Sequence, residues 1–230
     1  MNTVLEVKDV NMFYGSGDNK IVAVDSASLA VKRHELLLIM GPSGSGKTTL
    51  LSIMGCILYP NSGQVIIKGQ VVIGSNQATG NPDRILPHIR KGNFGFVFQS
   101  FNLFPFLNAA ENVEFVLRIK GHNRGKIRQE ALGLLKKVGL ENRAGAYPSD
   151  LSGGQKQRVA FARALAGDPP IILADEPTAS LDSKTGLEVL GLLKLLAEEY
   201  GKAIVIVSHD PKAKAFAHRV VYIEDGRIRS

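Results

Sequence analysis

The chain has 230 residues, of which 44% are hydrophobic and 21% are charged, and its formal net charge is +7. This length suits one large domain with a substantial core, and the composition excludes collagen-like and low-complexity classes. The one cysteine, Cys56, excludes an internal disulfide and suits a reducing compartment. Because its neighbours are apolar, we interpret Cys56 as a small core residue and not as a catalytic thiol.

Local patterns argue against a secreted, a membrane-spanning and a nucleic-acid-binding protein. The first residues lack a signal-peptide pattern, and the longest apolar run, residues 36–40, is too short to cross a bilayer. We therefore expect a soluble chain. The lysines and arginines are scattered along the sequence, which indicates a solvated basic surface, so no specific nucleic acid is expected as a partner.

The predicted elements begin with strands. Weak alternation at residues 4–10, a β-branched stretch at 21–31 and alternation at 65–73 predict a small antiparallel sheet. Residues 36–40 form a wholly apolar run, which is the pattern of a strand buried on both faces. This run leads directly into a glycine-rich loop, and the apolar spacing at 48–57 predicts a helix after that loop.

Strands and helices alternate in the rest of the chain. A polar segment at 76–93, rich in Asn, Pro and Gly, predicts a loop with a short helix. The later strands are predicted at 93–99, 171–173 and 203–207, the helices at 126–138, 154–165 and 185–200, and a terminal hairpin edge at 220–226. This alternation predicts an α/β fold with a mainly parallel sheet.

The glycine-rich loop is a complete phosphate-binding loop followed by Thr49. It consists of Gly41, Pro42, Ser43, Gly44, Ser45, Gly46, Lys47 and Thr48. Its glycines allow successive backbone N–H groups to form an anion nest at a helix N-terminus. We expect Lys47 to reach the β- and γ-phosphates of a nucleotide and the Thr48 hydroxyl to bind Mg²⁺. A tight strand-to-helix turn without a ligand is the alternative.

The apolar strand at residues 171–174 ends in two acids, Asp175 and Glu176. The carboxyl ends of buried parallel strands are where such sheets bind ligands. We expect Asp175 to hold Mg²⁺ through water and Glu176 to polarise the attacking water as a general base. A pair of solvated acids at a strand exit is the alternative, and the nearby phosphate loop favours the catalytic interpretation.

These motifs resemble the ATPase subunits of ABC transporters over nearly the whole chain. The resemblance rests on the phosphate loop, Gln99 at a strand end, Leu151-Ser152-Gly153-Gly154-Gln155, Asp175-Glu176, Ser180-Leu181-Asp182 and His209. It implies a P-loop NTPase (RecA-like) core with a small N-terminal antiparallel β subdomain and an inserted α-helical subdomain. We expect a single domain over 1–230, with 1–98 and 161–230 as the nucleotide-binding core with its β subdomain and 99–160 as the helical signature subdomain.

The resemblance implies a role for each matching residue around the nucleotide. Tyr14 is similar to the aromatic residue that stacks on adenine, with Phe13 as the alternative stacking residue and an edge-strand packing role as the alternative function. Gln99 is similar to the glutamine that touches Mg²⁺ or water and senses the membrane partner. His209 is similar to the switch histidine, whose bond to the γ-phosphate would fix the water and Glu176.

Other matching residues imply a site shared between two copies of the chain. The signature residues Ser152, Gly153, Gly154 and Gln155 are similar to those that contact the γ-phosphate held by the opposite protomer. Ser152 is also a plausible helix N-cap, and both roles are compatible. Asp182 is similar to the aspartate that crosses the dimer interface, with a helix N-cap as the alternative.

Within the family, the amino-acid sequences of several segments are most similar to those of the MacB/LolD group. The resemblance implies ATP and Mg²⁺ as cofactors, and an ATP-dependent head-to-tail homodimer. It also implies integral membrane permease subunits that dock near Phe101–Leu107, where exposed aromatics are expected; a self-packed loop is the alternative. The expected location is cytoplasmic, peripheral on the inner face of the cell membrane through that partner.

Three other functions fit parts of the pattern. A non-transporting ATPase that transmits force, as in cell-division complexes, has the same motifs, and a membrane partner would separate it from an exporter. A soluble nucleic-acid or ribosome-acting ATPase of the same superfamily usually carries two cassettes or a long coiled-coil insertion. A simple kinase does not explain the signature at Ser152–Gln155. The transported substrate is not encoded in this chain.

Overall fold

Two sheets and the helices packed on them organise residues 2–74 and 82–229, the part of the chain that this computed structural model describes. The strands are β1 (Thr3–Tyr14), β2 (Ile21–Lys32), β3 (Leu36–Met40), β4 (Ser62–Ile67), β5 (Gln70–Ile73), β6 (Phe94–Val97), β7 (Ile171–Asp175), β8 (Ala203–Val207), β9 (Arg219–Glu224) and β10 (Arg227–Arg229). The α-helices are α1 (Lys47–Met54), α2 (Pro82–Asn93), α3 (Ala109–Lys120), α4 (Ile127–Lys137), α5 (Gly153–Leu165) and α6 (Ser183–Glu198).

The larger sheet has the strand order β10-β9-β3-β8-β7-β6 and is parallel except for the β9–β10 hairpin. Its central strands are short and apolar, as expected for strands covered on both faces. The carboxyl ends of β3, β6, β7 and β8 therefore lie at one edge, and the phosphate loop, Gln99, Glu176 and His209 follow these ends directly in the chain. The predicted α/β class is confirmed.

The smaller sheet is antiparallel, in the order β2-β1-β4-β5. The predicted strand at 65–73 is wrong in one respect, because Lys68 and Gly69 have φ of 51° and 80° and turn the chain between β4 and β5. Positive φ at both central residues is typical of a type I′ hairpin. The register of β1 against β2 shifts after Val7, where Asp9 has φ 47°, and β1 continues to Tyr14, well beyond the predicted end.

The core lies in two layers on either face of the parallel sheet. Leu36, Leu38 and Met40 of β3 pack into the layer that contains α3, α5 and α6. Leu37 and Ile39 pack into the other layer, with α1 and the antiparallel sheet. Successive strand residues point to opposite faces, so a wholly apolar strand supplies both layers at once. α1 is thereby held between the two sheets.

Two helix boundaries differ from the predictions for a local structural reason. α1 ends at Met54 and not at residue 57, because Cys56 is left-handed with φ 56°. α6 begins at Ser183, two residues earlier than predicted, because Asp182 caps it. The polar segment predicted at 76–93 contains α2, and residues 76–81 of this segment lie outside the described part of the chain.

The helices between β6 and β7 form a packed group in which α3, α4 and α5 contact one another. A capping box starts α3, in which the Asn108 side chain accepts a bond from the Glu111 N–H and the Glu111 carboxylate accepts one from the Asn108 N–H. Among the described residues, none of the helices combines the length and the apolarity that crossing a bilayer requires.

Candidate active site

A cleft of about 490 Å³ lies at the carboxyl edge of the parallel sheet. It brings together the phosphate loop, the end of β1, the start of β2 and residues that follow β6, β7 and β8. Its lining consists of Tyr14, Ile21, Val22, Ala23, Ser43, Gly44, Ser45, Gly46, Lys47, Thr48, Thr49, Gln99, Glu176 and His209. Most residues predicted to hold the nucleotide and its cation therefore face one cavity.

The phosphate loop wraps around the Lys47 ammonium. Lys47 begins α1, its side chain is buried, and Nζ donates to the carbonyl oxygens of Gly41 and Pro42 at 2.9 and 2.6 Å. Gly46 has φ 99°, and a Cβ there would lie 2.0 Å from the Ala23 carbonyl oxygen, so only glycine fits. The loop thus presents backbone N–H groups and a fixed cation at the N-terminus of a helix, which is an anion site.

Ser45 adds a polar atom that the protein itself does not satisfy. Its Oγ is buried and has no hydrogen-bond partner among the described residues. Buried polar atoms are nearly always paired, so an unpaired hydroxyl in this loop fits a ligand that brings hydrogen-bond acceptors. A polyphosphate supplies such oxygens, and the donor set of the loop therefore fits a nucleotide.

Thr48 and Asp175 form a pair of oxygen ligands beside the loop. The Thr48 hydroxyl donates to Asp175 Oδ1 at 3.2 Å. Burial raises the pKa of Asp175 and the neighbouring charge of Glu176 adds to this, while the bond from Thr48 and the charge of Lys47 oppose it. Hard divalent cations such as Mg²⁺ prefer this combination of hydroxyl and carboxylate oxygens.

Glu176 is fixed at the end of β7 by three contacts. Its N–H donates to the Val207 carbonyl oxygen at 2.9 Å, and its carboxylate accepts from Ser208 Oγ at 3.2 Å and from His209 Nδ1 at 2.8 Å. Glu176 has φ 46°, a left-handed value that is rare outside glycine and often found at functional sites. One carboxylate oxygen thus faces His209 and the other faces Ser208.

His209 contacts Glu176 directly. The sequence predicted a bond from His209 to the γ-phosphate, and the structure adds this hydrogen bond to the Glu176 carboxylate. A carboxylate only accepts hydrogen bonds, so His209 Nδ1 carries the proton in this contact. Nε2 is then the ring nitrogen free to turn toward a ligand. The His209 side chain is 69% exposed and that of Glu176 only 15%, which leaves the histidine accessible while the acid is sheltered.

Tyr14 lies in the cleft, whereas Phe13 is not part of its lining. Tyr14 pairs across the antiparallel sheet with Ile21, and both side chains are exposed, by 45% and 68%. Lys20 Nζ instead lies 4.0 Å from the centre of the Phe13 ring. A flat apolar platform formed by Tyr14 and Ile21 suits a planar ring, and Tyr14 is therefore the better placed of the two predicted stacking residues.

The signature residues Ser152–Gln155 do not line the cleft of their own chain. They form a capping box at the start of α5, in which Ser152 Oγ accepts from the Gln155 N–H at 3.3 Å and Gln155 Oε1 accepts from the Ser152 N–H at 3.0 Å. Gly154 lies against α6, because a Cβ there would be 2.2 Å from Thr185 Cγ2. The N-terminus of α5 therefore contributes nothing to the lining of the cleft that the same chain builds.

Asp182 also lies outside the lining of the cleft. Its carboxylate accepts from the N–H groups of Lys184 and Thr185, both at 3.1 Å, and from the Thr185 hydroxyl at 2.6 Å. The side-chain bond from Thr185 lowers the pKa of Asp182, and the backbone bonds act in the same direction. The helix cap that the sequence offered as an alternative is therefore formed, and the contact of Asp182 with a second chain stays a prediction.

The sequence did not reveal every residue of this site. Ser208, which bonds Glu176, was missed because a serine between an apolar strand and a histidine carries no distinctive spacing. The wall formed by Ile21, Val22 and Ala23 was predicted only as a strand. The exposure of Ile21 at a strand start is the feature that distinguishes it, and exposure is not visible in the sequence.

Comparisons with known proteins point to one family. The model of a family described as ABC transporter matches residues 24–179. The uncharacterized ABC transporter ATP-binding protein MJ0796 of Methanocaldococcus jannaschii is 47% identical over 229 residues, covering 98% of this chain and 95% of that protein. The macrolide export ATP-binding/permease protein MacB of Hyphomonas neptunium is 44% identical over 227 residues, or 99% of this chain, which spans only 34% of that relative.

A solved structure extends the similarity to three dimensions. The dimeric structure of a post-hydrolysis state of the ATP-binding cassette MJ0796, bound to ADP and Pi, matches this chain with a TM-score of 0.85. The sequence identity is 45%, and the alignment covers 98% of this chain and 97% of that one.

Proposed function

Because the chain belongs to the ABC transporter family, we propose that it is the ATP-hydrolysing subunit of a transporter of the MacB/LolD type that exports or extracts its substrate. The family and the ATPase class agree with the sequence prediction. The observation that carries the proposal is the arrangement at one cleft of a phosphate loop and a sheltered Glu176 held by Ser208 and His209.

The residues of the cleft divide the chemistry among them. When bound, ATP supplies the phosphoanhydride bond, and Mg²⁺ neutralises part of the negative charge of the phosphates. The loop N–H groups and Lys47 hold the phosphates, and Thr48 and Asp175 are the residues that would hold the cation, assisted by Gln99. Glu176 polarises the attacking water and His209 fixes the orientation of its carboxylate.

Two copies of the chain are needed to complete a site. The signature lies outside the cleft of its own chain, so the α5 N-terminus is available to the phosphate held by a second copy. A twofold axis then produces two equivalent composite sites. The known dimer of the 45% identical cassette is consistent with this proposal.

This chain has a surface suited to a membrane partner near the predicted docking segment, Phe101–Leu107. An open, mainly apolar groove of about 470 Å³ is lined by residues of β6, α3 and this segment, including Phe98 and Phe104. Phe106, in the same segment, is 86% exposed. Arg90, Lys91 and Lys120 also line the groove. We propose that it receives an apolar segment of a permease subunit with a carboxylate that faces these cations.

A complementation experiment tests the shared site. Glu176→Gln removes the general base, and Ser152→Asp keeps an N-cap for α5 while it places a negative charge where the opposite phosphate would lie. Each variant alone is expected to be inactive. In an equal mixture, random pairing gives one competent site in each mixed dimer, so about a quarter of the wild-type ATPase rate is expected.

The outcome is decided by the rate of phosphate release. Recovery in the mixture, absent from either variant alone, supports a site built from two chains. If the mixture stays inactive although both variants bind ATP and associate, the signature does not serve the partner's nucleotide and the proposed mechanism is wrong.

A further inference from the structure

The turn that follows Gln99 is strained. Phe101 and Asn102 are consecutive non-glycine residues with φ of 60° and 50°. The Asn102 N–H donates to the Ser100 carbonyl oxygen at 2.6 Å, an i to i+2 bond around Phe101. Positive φ at the centre of such a turn is the rare, strained form. Conformations of this kind persist only where the surrounding structure holds them.

Arg163, in the last turn of α5, holds this turn from the side. Its Nη2 donates to the Phe101 carbonyl oxygen at 2.9 Å, and its Nη1 donates to the Asn102 carbonyl oxygen. Burial lowers the pKa of Arg163, and both of these hydrogen bonds go to uncharged carbonyl groups. Its planar guanidinium therefore donates to two neighbouring carbonyl groups, a geometry that a lysine ammonium does not reproduce.

The same turn also touches the beginning of α5. The tip of the Phe101 ring lies 4.0 Å from the position of a Cβ on Gly153, the second signature residue. The Phe101 ring thus lies near the N-terminal end of α5, while the Phe101 carbonyl group accepts from Arg163 near the C-terminal end. Long side chains on a helix lean toward its N-terminus, which explains how Arg163 reaches the turn.

The other end of the docking segment Phe101–Leu107 is fixed as well. Asn112 of α3 is fully buried, and its amide donates to the carbonyl oxygens of Phe104 and Leu107 at 3.2 and 2.8 Å while its Oδ1 accepts from the Phe104 N–H at 2.8 Å. The segment is therefore fastened to both α3 and α5. Both Asn102 and Arg163 line the apolar groove.

We propose that Arg163 is a positioning residue that fixes the docking segment Phe101–Leu107 relative to α5, and hence relative to the signature at the start of α5. The proposal rests on the function proposed above. The docking segment and α5 then form one rigid unit. A partner bound in the groove and a nucleotide held by the second copy both contact this unit. Without Arg163 the strained turn relaxes, and the orientation of Ser152 and Gly153 is no longer tied to the groove.

Hydrogen–deuterium exchange tests the local part of the proposal. In Arg163→Gln, amides of residues 98–108 and 151–156 are expected to exchange about tenfold faster than in the wild type, since the guanidinium holds the turn at Phe101 and the ring of Phe101 lies beside Gly153. Arg158→Gln is the matched control, because Arg158 lies on the same helix but pairs with Glu188 of α6 at 2.7 Å. Exchange of α1 and the central strands should not change in either variant.

Dimer formation tests the functional part. In a Glu176→Gln background, which slows hydrolysis, Arg163→Gln is expected to weaken ATP-driven dimerisation about tenfold, within the usual range for residues that couple two surfaces. ATP affinity of the monomer should stay within about twofold, because no Arg163 contact reaches the cleft. Analytical ultracentrifugation at several protein concentrations gives the dimer constant, and Arg158→Gln should match the parent.

The outcomes separate the two proposals. If the Glu176→Gln parent does not dimerise with ATP, the proposed function fails, while the exchange pattern still tests the positioning role. If Arg163→Gln dimerises like Arg158→Gln, or if its faster exchange spreads over both sheets, Arg163 is merely structural and the inference is overturned. Arg163→Lys, which keeps the charge and one bond, is the variant to use if Arg163→Gln does not fold, and an intermediate effect on both measurements is expected.

Discussion

Asp175 combines a functional position with an unfavourable environment for its charge. Burial raises its pKa in the folded state above the ordinary value of 3.8. Because the folded chain then binds the proton more tightly than the unfolded chain, stability falls as pH rises through the folded-state pKa. The destabilisation is complete above that pKa and absent below the unfolded value.

Asp175→Asn is therefore expected to raise the thermal unfolding temperature of the nucleotide-free protein at a pH of about 7.5, because the buried charge is removed and the Thr48 bond can be kept. The gain should shrink as the pH falls toward the ordinary value of 3.8, because the folded aspartate then takes up its proton. Calorimetry across this pH range measures it. The same variant should lose Mg²⁺-dependent ATPase activity, and a variant that is less stable at neutral pH would contradict the electrostatic explanation.

At the same scale, the positions of candidate site residues could be predicted where one backbone pattern leaves little choice. The phosphate loop and the Asp175-Glu176 pair were located from sequence because a buried strand leads into each of them. The Ser208 bond to Glu176 and the left-handed φ of Glu176 were not predictable, since both depend on how β7 and β8 lie side by side.

Among the elements, α5 and α6 approach each other closely at the signature. Gly154 touches the Thr185 methyl group, and the hydroxyl of the same threonine bonds the Asp182 cap. The signature and the start of α6 are therefore held together by one side chain. A β-branched residue is stiff at χ1, so it cannot turn aside to admit a larger group.

Gly154→Ala is expected to reduce the free energy of unfolding by about 1–3 kcal/mol, the usual cost of overpacking, because its Cβ would clash with Thr185. Thr185→Ser removes the methyl group and keeps the hydroxyl, so the double variant should recover most of the loss. Gly133→Ala on α4 is the control, since a Cβ there meets nothing within 4 Å. Urea unfolding measures all four proteins, and equal losses with and without the serine would refute the clash.

Periodicity located most elements but not their ends. The predicted bounds of β3 and β8 match the observed ones at both ends. A short, wholly apolar run is the pattern expected of a strand that is covered on both faces of a sheet. The boundaries that differed were set by local backbone geometry, such as the left-handed Cys56 after α1 and the Lys68-Gly69 turn. A periodic pattern of apolar residues describes the face of an element and contains no information on the φ of the residues that end it.

For the whole molecule, the groove beside the docking segment is the feature that would join the cassette to a membrane. The segment's backbone is fixed by Asn112, while the Phe106 side chain is left almost fully exposed. The self-packed loop, which was the alternative to a docking surface, therefore holds for the backbone of this segment. The exposed Phe106 side chain is still available to a partner. Phe98, Phe104 and Phe115, which line the groove, are also exposed, and exposed apolar patches usually mark contacts.

Phe106→Asp is expected to leave the ATPase rate of the isolated protein within about twofold and to abolish copurification with an integral membrane protein, because it places a charge in an apolar contact. Leu195→Asp, which changes an exposed apolar residue of α6, is the matched control. Tagged proteins recovered from detergent-solubilised membranes provide the measurement. Retention of the membrane protein by Phe106→Asp would place the docking surface elsewhere.

The environment of Cys56 has a practical consequence for observing motion between two copies. The thiol is fully buried and its pKa is raised to about 12 by burial, so almost no thiolate exists at neutral pH. As the chain's one native cysteine is silent toward maleimides, a second cysteine introduced at an exposed position takes up a fluorophore or a spin label alone. Distances between such labels across an assembled pair can then be followed as nucleotide is added and consumed.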